Sequence, residues 1–259
     1  MPNKLAVQMY TLREFTKTAE GLDSCLQIIH GIGYAGVQLS AVSCMDDGGV
    51  TAADAKAMLD AHGLRCVATH RSLDRLVHHT IEEIAFHETL DCQYTAVGGA
   101  WGYPNNAAEY RRFVQDVHPM IQTLARSGVR FGYHNHAHEF IRDADTSRPA
   151  YEVFLDEAPS MYLELDTYWL NHAGLDVASF FRRCVGRIPV IHVKDKEMVE
   201  KDGAVMAPVG EGNLDWDSII EVAEAGGTEW YVVEQDECRR DPFDCLASSF
   251  DFLASKQLA

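Results

Sequence analysis

Short apolar runs recur along the chain near 4–10, 35–39, 64–69, 93–98, 129–136, 161–166, 188–194 and 229–234, each bounded by polar or glycine-containing stretches. Runs of this length and β-rich composition predict eight strands. Longer amphipathic segments separate them. Leu22, Cys25, Leu26 and Ile29 form one stripe at helical spacing, and Ala55, Met58 and Leu59 form another behind a capping-box pair at Thr51 and Asp54. Gly31-Ile-Gly33, His62-Gly63 and Ser127-Gly128 supply helix stops before strands two, three and five.

Strand and helix alternating from end to end predict a parallel sheet with crossover helices. The first strand runs into Gln8-Met-Tyr-Thr-Leu-Arg13, which has no glycine-rich phosphate loop, so a closed barrel is preferred to a doubly wound sheet. The 259 residues suit one (β/α)8 barrel, which takes roughly 250. No Pro/Ser-rich linker or charge block divides the chain, and 1–259 reads as a single barrel domain. Segments 44–50 and 197–213 read as longer loops on the mouth side, where such loops bind or cover substrate.

Composition narrows the function class. The chain is 47% apolar, with no run approaching the ~18 apolar residues of a membrane span. Its opening residues lack the parts of a signal peptide, so a cytoplasmic address is expected. Seven cysteines, odd in number and never in a CxxC pair, read as reduced and buried instead of as a zinc-thiolate site. A formal charge of -17 disfavours nucleic acid, which needs clustered Lys and Arg.

The chemistry concentrates at the ends of four runs: Arg130-Phe-Gly-Tyr-His-Asn-His136, Tyr162-Leu-Glu-Leu-Asp166, Val190-Ile-His-Val-Lys-Asp195 and Tyr231-Val-Val-Glu234. Alternation along a strand puts His134 with His136 on one face, and likewise Glu164 with Asp166, His192 with Lys194, and Glu234 with Asp236. Facing inward, these pairs leave Tyr133, Leu165, Val193 and Val233 toward the helices. Carboxylates and imidazoles meeting at the carboxyl ends of barrel strands suit a divalent cation such as Mn²⁺, Mg²⁺ or Zn²⁺. Asp166, His192 and Glu234 are the core ligands on this reading. Glu164 lies one layer deeper and is expected to be an ion-pair partner. His30, His62, His78, His79, His87 and His118 fall in helical stretches and read as structural or solvent-facing.

Several segments together resemble the sugar phosphate isomerase/epimerase family, with its xylose isomerase-like TIM barrel. They are Val7-Gln-Met-Tyr-Thr-Leu-Arg13, Gly33-Tyr-Ala-Gly-Val-Gln38, Gly132-Tyr-His-Asn-His-Ala-His-Glu-Phe140, Leu165-Asp-Thr-Tyr-Trp169, His192-Val-Lys-Asp195 and Val233-Glu-Gln-Asp236. The resemblance implies one divalent metal held by Glu, Asp, His and Glu, the last three carrying over to Asp166, His192 and Glu234. For the first ligand the chain departs from the pattern: strict register offers His134, while Glu139 follows in the loop and keeps the usual charge. Glu139 is preferred, with His134 as its rival. The implied reaction is isomerisation or epimerisation of a keto-sugar or related polyol through a metal-stabilised enediolate, with Glu139 and Glu234 as the proton-transfer pair and His136 as the substitute base.

Substrate contacts are expected from His134, Trp169, Lys194, Asp236, His70 and Gln38, with Arg71 as a weaker neighbour. No clustered basic and glycine set demands a phosphorylated sugar. Two alternatives use the same fold: a lyase, dehydratase or 3-keto-glycoside deglycosidase with the same metal and base, and a non-catalytic sugar-binding barrel. Abasic-site endonucleases share a similar barrel, but they need several metals and a basic groove. The expected partner is a small sugar or polyol, with no nucleic acid and no membrane. A homo-oligomer is compatible with the resemblance, although no residues mark an interface.

Overall fold

The computed structural model describes residues 3–259. Eight parallel strands form the barrel: β1 (Leu5–Gln8), β2 (Gly36–Leu39), β3 (Arg65–His70), β4 (Tyr94–Val97), β5 (Arg130–His134), β6 (Tyr162–Glu164), β7 (Val190–Val193) and, last in sequence, β10 (Trp230–Val233). Between the last two lies an antiparallel hairpin, β8 (Asp195–Val199) and β9 (Gly203–Ala207). The barrel strands run in the order β6-β5-β4-β3-β2-β1-β10-β7. The sheet closes where Asp166 bridges His192 and His192 N donates to Leu165 O at 2.9 Å. Two of the expected ligands therefore sit at the seam.

The eight predicted strands are present, most of them shorter than the apolar runs. The first stops at Gln8 because Met9–Phe15 turns into a 3-10 helix. The sixth stops at Glu164 because Asp166 becomes the N-cap of the helix Thr167–His172. Thr51 and Asp54 make both bonds of the capping box that starts the helix Ala52–Ala61. The expected loop 197–213 is instead largely the β8–β9 hairpin, followed by a turn gathered around one buried carboxylate. Asp195 accepts from the backbone N–H groups of Lys196, Gly210, Gly212 and Leu214 and from Trp216 Nε1, at 2.7 to 3.3 Å. A side chain at Gly212 would run into that carboxylate.

Two cores follow from strand alternation. Tyr133, Leu165, Val193 and Val233 point outward into the large apolar layer between sheet and helices. Ala6, Ala68, Tyr94, Ala96, Tyr162, Val190, Trp230 and Val232 fill the lower barrel interior. Moving two residues along each strand raises the inward face to Gln38, His70, His134, Glu164, His192 and Glu234, so a polar layer rests directly on the apolar plug. Gly132 makes room for the plug, since a Cβ there would lie no farther than 2.6 Å from three atoms of the Tyr162 ring. Among the described residues no helix is long and apolar enough to cross a membrane.

Gly132→Ala is expected to destabilise the protein by about 1–3 kcal/mol through overpacking. Denaturant unfolding checks this, and adding Tyr162→Leu should recover part of the loss; an unchanged midpoint in the single variant would show that the ring moves freely.

Candidate metal centre

His134, Asp166, His192 and Glu234 each present one donor atom within 4.8 Å of the others, and all four residues are buried. Donors sharing one cation at bond lengths near 2 Å stand about 3–4 Å apart, so the set needs only small adjustment to close on a metal. Two imidazoles with two carboxylates suit Zn²⁺ or Mn²⁺ as well as a harder ion. His134 supports the fit further: its Nε2 lies 3.4 Å from Asp166 Oδ2, and its buried Nδ1 has no partner in the protein.

Each donor is aimed by a neighbour. Gln38 Oε1 accepts from His192 Nε2 at 2.6 Å, which fixes the ring so that Nδ1 faces Glu234 Oε2 at 2.9 Å and Asp166 Oδ2 at 3.9 Å. Gln38 is itself held by Glu164, whose Oε1 accepts from Gln38 Nε2 at 2.9 Å, while His70 Nε2 bonds the other oxygen. Asp166 divides its work: Oδ1 caps the following helix by accepting from Trp169 N at 2.9 Å, and Oδ2 turns to the cluster. The helix cap and the expected ligand are thus one residue.

Lys194 Nζ lies 3.2 Å from Asp166, 2.9 Å from Glu234 and 2.9 Å from Asp236. Burial opposes charge on this lysine, but the three carboxylates outweigh it and hold its pKa above the ordinary value. Burial also opposes charge on Glu234, yet Lys194 and His192 keep that carboxyl well below the usual range. Asp166 goes the other way: burial pushes it up to about 6 despite Lys194 and His192. Burial, reinforced by the Lys194 charge, brings His136 down to about 4, which leaves its ring neutral near pH 7.

Above the cluster a cavity of about 230 Å³ opens to solvent, lined by Tyr10, His70, His136, Lys194, Glu234 and Asp236 among others. Trp169 stands beside it, its ring centred 5.3 Å from that of His136. Three of the expected residues stand apart from the four donors and the cavity above them. Glu139 does not join the four donors: the short 3-10 turn His138–Phe140 sets it beside Tyr133, where Oε1 accepts from Tyr133 O–H and Oε2 from His136 N, both at 2.9 Å, and its carboxylate groups instead with His136 and His138, donor atoms of the three lying within 4.8 Å of one another. His134 stands with the other donors in its place. Gln38 is sealed beneath His192 with no exposed surface and contacts no mouth cavity, and Arg71 turns away to pair with Glu83. Sequence reading passed over Tyr10 and Trp101; the latter is 70% exposed and leans over His136 and His138. Both follow barrel strands at their carboxyl ends, which was the available signal.

A family model described as a xylose isomerase-like TIM barrel matches residues 26–256. The chain belongs to this family. A search of curated proteins finds no match. Among solved structures, this xylose isomerase-like barrel is similar to a sugar phosphate isomerase/epimerase from Parabacteroides distasonis, with a TM-score of 0.78 and 20% identity over 100% of this chain and 95% of that one. It is similar to a D-allulose 3-epimerase from Methylomonas sp. in complex with D-allulose, with a TM-score of 0.74 and 14% identity over 98% of each chain. It is also similar to the probable 3-DHS dehydratase of Bacillus anthracis, with a TM-score of 0.71 and 15% identity over 97% of this chain and 98% of that one. At such identities the likeness shows the fold, and this xylose isomerase-like fold carries mostly enzymes, with both epimerase and dehydratase among them.

Metal analysis of the purified protein should find a divalent ion. His134→Ala should lower its affinity at least 100-fold, while Glu139→Gln should retain it; Gln38→Ala, which frees the His192 ring, should cost about 10–100-fold. Retention by His134→Ala with loss in Glu139→Gln would reverse the assignment.

Proposed function

We propose that this protein is a divalent-metal-dependent isomerase or epimerase acting on a keto-sugar or related polyol. The observation that carries the reading is the convergence of His134, Asp166, His192 and Glu234 beneath a polar cavity whose walls bear His136, Lys194 and Asp236. A divalent cation held by those four residues would polarise a substrate carbonyl and stabilise negative charge on its oxygen. The remaining work falls to the chain's own groups. Glu234 takes the proton from the carbon beside the carbonyl. Lys194 holds Glu234 ionised at 2.9 Å and offers its ammonium to a substrate oxygen. His136, whose Nδ1 has no partner in the protein, moves the second proton at the cavity wall.

The two proton carriers are thus chemically unlike, one carboxylate and one imidazole, because the Glu139 carboxylate is engaged by Tyr133 O–H and His136 N, apart from the four donors. That asymmetry favours a second reading, elimination beside a carbonyl. One carboxylate base suffices when the charge left on carbon expels a leaving group instead of being reprotonated. Seven free cysteines support a reducing, cytoplasmic setting for either reaction.

Incubating candidate ketoses in D₂O with Mn²⁺ should replace the C–H proton beside the carbonyl, followed by NMR. Glu234→Gln should slow exchange about 10²–10⁴-fold, and His136→Asn about 10²-fold with bound metal unchanged. Retained C–H signals for every ketose tested would remove the reading; release of water or an aglycone would select elimination.

A further inference from the structure

Outside the four-donor cluster, His136, His138 and Glu139 on the loop after β5 bring one donor atom each to within 4.8 Å of one another. Two imidazoles and one carboxylate are a donor set that holds Zn²⁺ with one position left open. Glu139 is fully buried, and a carboxylate in such a place needs compensation for the water it has lost. It receives one bond on each oxygen, from Tyr133 O–H and from His136 N, which leaves a lone pair on each for a further partner. His138 Nε2 stands 3.4 Å from Oε1, long for a hydrogen bond but within the ~3–4 Å that separates two donors on one cation. His136 keeps a buried Nδ1 with no partner in the protein.

The loop holds these groups in register. Asn105 Nδ2 donates to His138 O, and the rings of His136 and His138 stack at 28° with centroids 5.8 Å apart. Trp101 lies over His138 at 27°, yet the His138 side chain keeps 38% of its surface exposed, so an ion from solvent can reach it. We propose that His136, His138 and Glu139 form a second, inhibitory site for Zn²⁺, separate from the four-donor cluster. A neutral imidazole has one nitrogen able to take a proton, and a metal ion bound to that nitrogen removes the capacity. Zn²⁺ here therefore silences the proton carrier at the cavity wall and leaves the four donors to their own ion. The site stands on its own geometry; the inhibition rests on the role given to His136 above.

The test starts from the purified full chain carrying one equivalent of Mn²⁺, to which Zn²⁺ is added under equilibrium dialysis while bound metal is counted by elemental analysis. The protein should take up a further equivalent. His138→Asn changes a partly exposed side chain and should fold as the parent does; it and Glu139→Gln should each weaken the further uptake about tenfold or more and keep the first equivalent. His134→Ala, which weakens the first site, should leave the second in place. Proton exchange on a ketose should fall about tenfold or more in surplus Zn²⁺ for the parent and hold its rate in His138→Asn. Uptake of no further metal, or a further equivalent that survives both variants, would overturn the site, and equal loss of exchange in His138→Asn would overturn the inhibition. If no ketose exchanges at all, the metal count still decides the site, so its failure and that of the sugar reading are told apart.

Discussion

Glu164, Asp166 and Glu234 are buried together at the top of the barrel, and nothing else about the site can be understood before asking what neutralises them. Isolated carboxylates in such a place would take up protons instead of staying charged. The structure answers with His70 on Glu164, His192 between Glu164 and Glu234, and Lys194 against Asp166 and Glu234. Lys194 is nearly fully buried and supplies the one ammonium in this set. Its attachment to Asp166 Oδ2 and Glu234 Oε2 means that it engages the oxygens a metal would use. A divalent ion held there would share these oxygens with the lysine, which Asp236 also anchors from 2.9 Å. Asp236 is thereby linked to the candidate metal centre without being one of its four donors.

The same balance explains the layering below. Gln38 carries no charge, yet it joins Glu164 to His192 and so spreads the negative charge of the deeper carboxylate into the ligand ring. Under that layer the plug is made of alanines and large rings, with Gly132 yielding space to Tyr162. A dry floor keeps water from solvating the carboxylates from beneath and forces their charge to be met by the groups beside them.

What was legible in the sequence was what a period of two determines. Tyr133, Leu165, Val193 and Val233 fall on the helix side, and His134, Asp166, His192 and Glu234 fall together inside, as alternation requires. Glu139, preferred for its charge, stands apart from the four donors because it lies beyond the end of β5, where strand parity no longer applies. A 3-10 turn sets its direction, and the phenol of Tyr133 on the outward face claims it. Gln38 was misread for a related reason: parity placed it inside correctly, but depth within the barrel depends on the stagger of neighbouring strands. A bulge between β2 and β3 shifts that stagger at Val37 and Gln38. The hairpin escaped notice because Gly203-Ala-Val-Met-Ala207 has no clear polar alternation, all but the buried Ala207 being half-buried.

Asp166 connects these parts. Its Oδ1 fixes the backbone of Trp169 while its Oδ2 belongs to the donor cluster, so Trp169 is joined to the candidate metal centre through a single carboxyl group. The helix Thr167–His172 is short, and its position depends strongly on that cap. The seam of the barrel lies at the same residue, where Asp166 bridges His192. A change in the charge at the cluster therefore bears on the bond that holds Trp169, whose ring stands against His136 at the mouth.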